Sequence, residues 1–413
     1  MKFSVLLPTR NRLDLLSYAI ETVRRQDYSD WEIIVSDNAS EEDIAGYVRS
    51  INDLRIKYYR TEKLVTVTDN WNNALTKSNG DYVIMLGDDD CLMQGYFSTL
   101  KKIIEEYNDP ELIYTSAFVY AYPGVMPGFP EGYLRSYISS QIFRSAQKPF
   151  WLEKSESMAL VNHSVNFRIC FDYNMQFSLV SRKFIQRLEE YGPFYQSPYP
   201  DYYASNAAML KAENILIVPQ PLVTIGISPK SFGFYYFNDL ESKGNEFLKN
   251  IPDPDMVIRL QQVILPGTDM NTSWLLSMET LRQNFAKDGI VKVNYDRYRL
   301  LQICAVYARS LSGKYNAKED LQNLKRKINL REWIFYGIPL CILTTISVIF
   351  VPKRYYAAIS RQITRLTGSH PKCSANKKLS MIQGDFNTII DVFEKAKPVF
   401  VSVKKQEVSD VHT

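Results

Sequence analysis

Three adjacent carboxylates, Asp88, Asp89 and Asp90, end a short apolar run that starts at Tyr82 and closes at Leu86. Anions this close repel one another and need a cation, hydrogen-bond donors or open water. Hard oxygen donors suit Mg²⁺ or Mn²⁺, and Mg²⁺ commonly sits between one or two carboxylates and a substrate phosphate. The same residues also suit a solvated acidic turn leading into a helix near Met93, because Asp is a favoured N-cap and turn residue. A continuous apolar run of this length reads as a strand covered on both faces, as in a parallel sheet. Open α/β sheets bind ligands at the carboxyl ends of such strands. The chemistry implied is a metal–diphosphate site at a sheet edge.

The elements that must position this triplet precede it. Phe3 to Leu7, Trp31 to Val35 and Ile56 to Arg60 read as strands. Asp14 to Arg25 has helical spacing in Leu15, Leu16, Ala19, Ile20 and Val23. A second helix is expected from about Glu41 to Arg49 with Ser40 as N-cap and Asp43 at the capping-box position, and a third from Asn70 to Lys77. Strands alternating with helices imply βαβ units and a parallel sheet. Polar residues follow each strand: Thr9-Arg10-Asn11, then Asp37-Asn38, then the triplet. Loops after parallel strands converge on one edge, so these groups can share a cleft. Taken singly, Asp37 serves equally as a helix cap, and Arg10 and Arg12 as solvated loop charges.

Four segments in order, Ser4-Val-Leu-Leu-Pro-Thr-Arg-Asn-Arg12, Glu32-Ile-Ile-Val-Ser-Asp-Asn-Ala-Ser40, Asn70-Trp-Asn-Asn-Ala-Leu75 and Gly80-Asp-Tyr-Val-Ile-Met-Leu-Gly-Asp-Asp-Asp90, resemble glycosyltransferase family 2. The resemblance is close over about the first hundred residues and looser to about Gly233. It implies a GT-A fold: a Rossmann-like, mostly parallel α/β sheet flanked by helices, here with a mainly helical C-terminal region. It implies an enzyme that transfers a sugar from a nucleotide-diphosphate sugar with inversion. By that likeness Pro8, Thr9, Arg10, Asn11, Asp37, Asn70, Asp88 and Asp89 would bind the nucleotide sugar, with Asp37 taking a hydrogen bond from the base. Mg²⁺ or Mn²⁺ would be held by Asp88 and Asp90, which have the D-x-D spacing, with Asp89 as the alternative ligand. The family often has an Arg where this chain has Asp69, so diphosphate charge must be met by the metal, by Lys63 or Arg60, or by backbone N–H groups. No His falls where some members supply a further ligand; His163 comes too early, and His370 and His412 lie in the tail.

Inverting transfer needs a general base for the acceptor hydroxyl. Family members place an acidic residue at a helix start in the second half of the domain. Asp201, after Pro200 and before an Ala-rich helical run, is the match, with Asp172 in reserve; its alternative role is an N-terminal carboxylate complementing the helix dipole. Between Phe118 and Trp151, aromatic residues including Tyr120, Tyr122, Phe129, Tyr133, Tyr137 and Phe143 are spread among Pro and Gly, a candidate acceptor wall or a set of hydrophobic anchors. Lys230 and Ser231 could fold over the diphosphate.

The chain has 413 residues, 46% hydrophobic and 23% charged, enough for a sizeable core. A net charge of +4 is too small to argue for nucleic acid. The five cysteines include no CxxC pair, so a reducing compartment is expected rather than zinc or a disulfide framework. The first residues read as a strand, too short an apolar run for a signal peptide. The expected organisation is a catalytic domain over 1–235 (1–117 for the nucleotide sugar, 118–235 for the acceptor and base), a helical region over 236–330, a hydrophobic and basic membrane-associating segment over 331–368 and a polar tail over 369–413. Ile334 to Val351 carries no charge, long enough to cross a bilayer, with Gly337 and Pro339 expected to kink it. Basic residues flank it on both sides, so orientation stays open.

The expected activity is therefore single transfer of a sugar to a lipid-linked or polysaccharide acceptor, at the cytoplasmic side of the cell membrane. A processive synthase is disfavoured because no Gln-x-x-Arg-Trp is present. The alternative is a non-catalytic nucleotide-sugar-binding scaffold at a membrane. A nucleotidyltransferase is disfavoured because Thr9-Arg-Asn-Arg12 lacks the expected glycines.

Overall fold

The structure is a computed structural model that describes residues 1–136, 141–238, 240–241, 243–244, 254–286, 291–312, 317–366, 381–382 and 384–396. Four parallel strands form the first half of the sheet: β1 (Phe3–Thr9), β2 (Trp31–Asp37), β3 (Ile56–Arg60) and β4 (Tyr82–Met85), in the spatial order β3-β2-β1-β4. The side chains of β1, β2 and β4 are buried almost throughout because helices cover them, whereas the edge strand β3 buries Ile56 and leaves Arg60 exposed. The helix Leu13–Arg24 buries Leu15, Leu16, Ala19, Ile20 and Val23, the stripe its spacing predicts. The helix expected from Glu41 begins instead at Ile44, and its cap is Asp43, whose carboxylate accepts from the Gly46 amide. Ser40 is taken by the loop after β1, where its Oγ accepts from the Asn11 amide. The third helix starts early, at Val67, because the Thr66 hydroxyl caps it.

Beyond β4 the sheet becomes mixed. After β5 (Cys91–Leu92) come β6 (Leu112–Ala121), β7 (Tyr133–Ser136), β8 (Phe150–Leu152), β9 (Ser178–Ser181) and β10 (Ile215–Ile227). β9 runs antiparallel between β4 and the start of β6, so β6 points the same way as β4. β10 runs parallel to β6 along its other edge. The apolar runs Ile215–Val218 and Leu222–Ile225, which Pro219 and Pro221 divide in the sequence, form one strand whose register slips between Val218 and Val223. Pro219 and Pro221 remove ladder donors there, and an irregularity absorbs the loss. The mostly parallel expectation therefore holds for the long ladders, with short antiparallel strands added.

Part of the expected polar tail returns to the body. β11 (Met381–Ile382) pairs with β7, and the helix Ile389–Lys395 buries Ile389, Val392 and Phe393 in a second apolar cluster with Leu15, Met93 and Tyr120. His370, Cys373 and His412 lie outside the described residues, as does much of the helix expected over Asn238–Lys249. The C-terminal region is helical as expected: Pro254–Arg259, Asp269–Asn284, Tyr295–Ser312 and Ala317–Lys327, then a long apolar helix Leu330–Phe350 and Tyr356–Leu366. Within the apolar helix, Trp333–Gly337 forms one π turn in which the Ile338 amide reaches the Trp333 carbonyl, the local device by which a helix passes a proline such as Pro339.

At the sheet edge away from the triplet, Glu32 clips four segments together. Its carboxylate accepts from Ser4 Oγ (2.7 Å), the Asn79 amide (2.6 Å), Lys57 Nζ (2.7 Å) and Lys2 Nζ (3.0 Å). Burial would raise its pKa, but these bonds outweigh it and hold the group at about 2. A depressed carboxylate pKa stabilises the fold above the unfolded value near 4.5, and that stabilisation is lost as pH falls toward 2. Glu32→Gln is expected to cost roughly 1–3 kcal/mol at neutral pH. In urea unfolding followed by circular dichroism, the gap to the parent protein should narrow between pH 4.5 and pH 2.

Candidate active site

The carboxyl ends of β1 and β4, the start of the helix Val67–Thr76 and the end of β10 surround a cavity of about 690 Å³. This is the size of small-ligand sites. Pro8, Thr9 and Arg10 line it from β1, Asn70 from the helix, and Asp88, Asp89 and Asp90 from the loop after β4. These expected residues are therefore brought together. Asn70 is also locked to β2: its Oδ1 accepts from Ser36 Oγ and its Nδ2 donates to the Ser36 carbonyl.

Two expected residues stand back from the cavity. Asn11, with φ +53°, stitches the loop: its Oδ1 accepts from the Glu41 amide and its carbonyl from Lys230 Nζ. Asp37 is fully buried, accepting from the Ser40 amide, Tyr58 Oη (2.6 Å) and Arg60 Nη1 (3.2 Å). Its neighbour Asn38 lines the cavity instead. Asp69 is exposed, outside the lining.

The three carboxylates are held differently. Asp88 accepts from Thr9 Oγ1 and pairs with Arg12 Nη1, both at 2.8 Å. Asp89 accepts from Ser228 Oγ at 2.7 Å. Asp90 takes three N–H groups: the Gly87 amide (2.9 Å), Gln176 Nε2 (2.8 Å) and the Gly226 amide (2.8 Å). Desolvation pushes the Asp89 carboxyl up despite Arg12, and Asp88 adds to the rise. Desolvation and then the charge of Asp89 push Asp90 up to about 8. Burial works against the charge on Arg12, but Asp88 and Asp89 outweigh it and raise the guanidinium pKa.

This environment fits a hard divalent cation, which would relieve the crowding of buried negative charge. Among the described residues no group of three or more His, Cys, Asp or Glu is arranged to hold a metal ion. The protein would therefore supply one or two carboxylates and leave other positions to phosphate and water, as Mg²⁺ prefers. Asp88 and Asp89 carry fewer N–H bonds than Asp90, whose oxygens are spent on the turn, so the geometry favours Asp89 over Asp90 as Asp88's partner ligand.

The second half of the cavity holds Asp201. Pro200 occupies the first turn of the helix Pro200–Lys211, where its missing N–H costs nothing, and Asp201 follows it. Asp201 Oδ1 accepts from the Tyr202 amide at 3.0 Å. Desolvation outweighs that bond and pushes the carboxyl up to about 7. Around it, Tyr202 stacks on Tyr199 and meets Tyr173 and Trp274 edge-on or tilted, with ring centroids 4.6–5.1 Å apart. Asp172 is not among the lining residues.

Of the aromatic run between Phe118 and Trp151, Tyr133 reaches the cavity. Tyr120 and Tyr122 are anchors of the second cluster, Phe143 belongs to the main core and Trp151 packs edge-on against Tyr107. Tyr137 lies outside the described residues. Ser231 lines one wall and caps the helix Phe232–Phe237 that faces the cavity, whereas Lys230 is outside the lining and its carbonyl accepts from Arg12 Nη2. Arg12 lines the cavity and pairs with Asp88, whereas Arg60 is bound to Asp37. Gln176, Gly226 and Ser228 were not anticipated. Gly226 carried a signal, since glycine inside a strand often marks close backbone approach. Here a Cβ would overlap the Asp89 carbonyl oxygen.

Residues 4–167 match the family model described as glycosyl transferase family 2, and this part of the chain is a domain of that family. A GalNAc(5)-diNAcBac-PP-undecaprenol beta-1,3-glucosyltransferase from Campylobacter jejuni is 41% identical over 108 residues, 25% of this chain and 35% of that protein. The putative colanic acid biosynthesis glycosyl transferase WcaA of Escherichia coli is 28% identical over 185 residues, 41% of this chain and 66% of WcaA. The chain thus aligns with about a third of the first relative and just under two thirds of the second. The crystal structure of Staphylococcus aureus TarS 1–349 superposes over 88% of this chain and 92% of that one, with 16% identity and a TM-score of 0.44.

Asp90→Asn places an amide N–H₂ against N–H donors. It is expected to lower stability by about 1–3 kcal/mol, read as a drop in Tm. Asp89→Asn keeps its single side-chain partner and should leave Tm nearly unchanged.

Proposed function

We propose that the chain is a glycosyltransferase that moves one sugar from a nucleotide-diphosphate sugar to a lipid-linked or polysaccharide acceptor, with inversion. One observation carries this reading: a single cavity joins a buried carboxylate cluster beside Arg12 to a separate carboxylate, Asp201, held near neutral pKa. The Campylobacter relative, named for a PP-undecaprenol-linked glycan, supports a lipid-linked acceptor in polysaccharide biosynthesis. In this scheme residues 1–117 hold the donor and 118–235 supply the acceptor side and the base.

Asp201 takes the proton from the acceptor hydroxyl as that oxygen attacks the anomeric carbon. The nucleoside diphosphate leaves from the opposite face, which inverts the centre. Arg12 stabilises the departing charge directly. Asp88 and Asp89 would hold Mg²⁺ or Mn²⁺, which when bound supplies positive charge at the diphosphate. Thr9 and Arg12 fix the Asp88 carboxylate, and Asp90 shapes the turn that presents it. Pro8, Arg10, Asn38 and Asn70 form the wall for the nucleotide. The rings of Tyr173, Tyr199 and Tyr202 keep water from Asp201 and offer faces for an acceptor sugar.

The apolar helix Leu330–Phe350 and its basic flanks support association with a membrane. The cytoplasmic side is the expected one, consistent with the free thiols of Cys91, Cys170, Cys304 and Cys341.

Asp201→Asn should reduce transfer by roughly 10²- to 10⁴-fold while nucleotide-sugar binding, followed by calorimetry, persists. A base must be deprotonated, so kcat of the parent should rise with pH through about 7. Near-normal turnover in Asp201→Asn would place the base elsewhere. Absence of transfer or donor hydrolysis in the parent, with intact binding, would favour a binding scaffold.

A further inference from the structure

The helix Leu330–Phe350 is inverted relative to a surface helix of a water-soluble body. The stripe it turns to the protein is narrow and holds Gly337, Leu340, Thr344 and Ser347. The Thr344 and Ser347 hydroxyls donate to the Cys341 and Leu343 carbonyls. Most of the remaining circumference is large, apolar and open: Phe335 is 65% exposed, Ile349 65% and Phe350 76%. A helix in water normally turns its apolar stripe inward and polar residues outward. A continuous exposed apolar surface of this kind marks a contact with another apolar phase.

The surrounding charge identifies that phase. Lys325, Arg326, Lys327 and Arg331 stand exposed before the ridge, and Lys353, Arg354 and Arg361 after it. No acidic residue occurs from Trp333 to Leu366. An apolar ridge bounded by cations complements an anionic lipid surface.

Packing then decides how the helix meets the bilayer. Leu321 and Leu324, before the ridge, and Ile359 and Ile363, after it, share one apolar cluster with Ile303, Val306 and Tyr307 of the helix Tyr295–Ser312. Leu340 of the ridge helix joins the same cluster. A buried ion pair, Arg299 to Glu332 at 2.5 Å, pins the start of the ridge helix there as well, and Arg299 Nη2 donates to the Lys327 carbonyl. A spanning helix of this length would carry its ends about 30 Å apart, into opposite aqueous phases. Here both flanking segments return to one helix that also carries Arg299, Gln302 and Arg309.

We propose that Leu330–Phe350 lies in the plane of an anionic bilayer, with its exposed ridge in the acyl boundary, and does not cross. This deepens the membrane association proposed above, and rests on it. The test uses the full chain with phosphatidylcholine vesicles, with and without phosphatidylglycerol. The protein should float with the anionic vesicles and detach as salt rises, and Ile346→Glu/Ile349→Glu should weaken binding by roughly tenfold or more. If that variant is misfolded by circular dichroism, Lys353→Glu/Arg354→Glu replaces it, and the same loss is expected. In a Cys341→Ser/Cys373→Ser background, Lys327→Cys and Lys353→Cys should both react with a membrane-impermeant maleimide added outside the vesicles. Protection of one of the two sites would overturn the in-plane geometry while leaving membrane association standing. Failure to float with either vesicle, flotation indifferent to these substitutions, or a dimer that Ile346→Glu/Ile349→Glu dissolves would overturn both.

Discussion

Concentrated negative charge, buried at the end of β4, is the constraint on which the rest of this structure depends. Three carboxylates in a row cannot be desolvated together without donors and cations aimed at them. The chain meets that demand from distant places. Thr9 and Arg12 come from the loop after β1, Gln176 from the segment before β9, and Gly226 and Ser228 from the end of β10. Each of these segments must reach the same point, so the triplet ties the mixed half of the sheet to the parallel half. The fold and the site are two aspects of one electrostatic requirement.

That requirement also separates the roles of three chemically identical side chains. Asp90 is spent on backbone and amide donors and defines the turn. Asp88 is coupled to the only guanidinium seen paired with the triplet among the described residues. Asp89, against Ser228, keeps the most capacity for an outside cation. Among the described residues no ion pair to Asp201 is seen across the cavity, and desolvation leaves its carboxyl near neutrality, at about 7. Two carboxylate environments share one cavity, one crowded with negative charge and one desolvated near neutral pKa, and the proposed transfer rests on that pairing.

Much of this was legible in the chain itself, because strand-end motifs are local. The apolar runs at Phe3, Trp31, Ile56 and Tyr82 lie in β1 to β4, and Asp201 follows a proline at a helix start as expected. What escaped is long-range. Phe177–Ser181 reads as a strand, but nothing local states that it runs antiparallel between β4 and β6. Arg12 looks like any solvated loop charge until its partner, 76 residues away, is placed beside it. Asp37 is engaged by Ser40, Tyr58 and Arg60, of which the last two lie up to 23 residues along the chain and meet it only when β2 and β3 pair. Likewise the polar composition after Ser369 conceals the short apolar stretch Ile389–Phe393 that docks onto the helix Leu13–Arg24 and its neighbours.

In the proposed reaction Asp88 and Asp89 would hold a divalent cation against a nucleoside diphosphate, with Arg12 as a second positive group beside it. Calorimetric titration of a nucleoside diphosphate panel, with and without Mn²⁺, into the parent and Asp89→Ala tests it most directly. Mn²⁺ should strengthen binding of at least one diphosphate in the parent, and that gain should vanish in Asp89→Ala. Equal affinities in both proteins, whether or not Mn²⁺ is present, would contradict it.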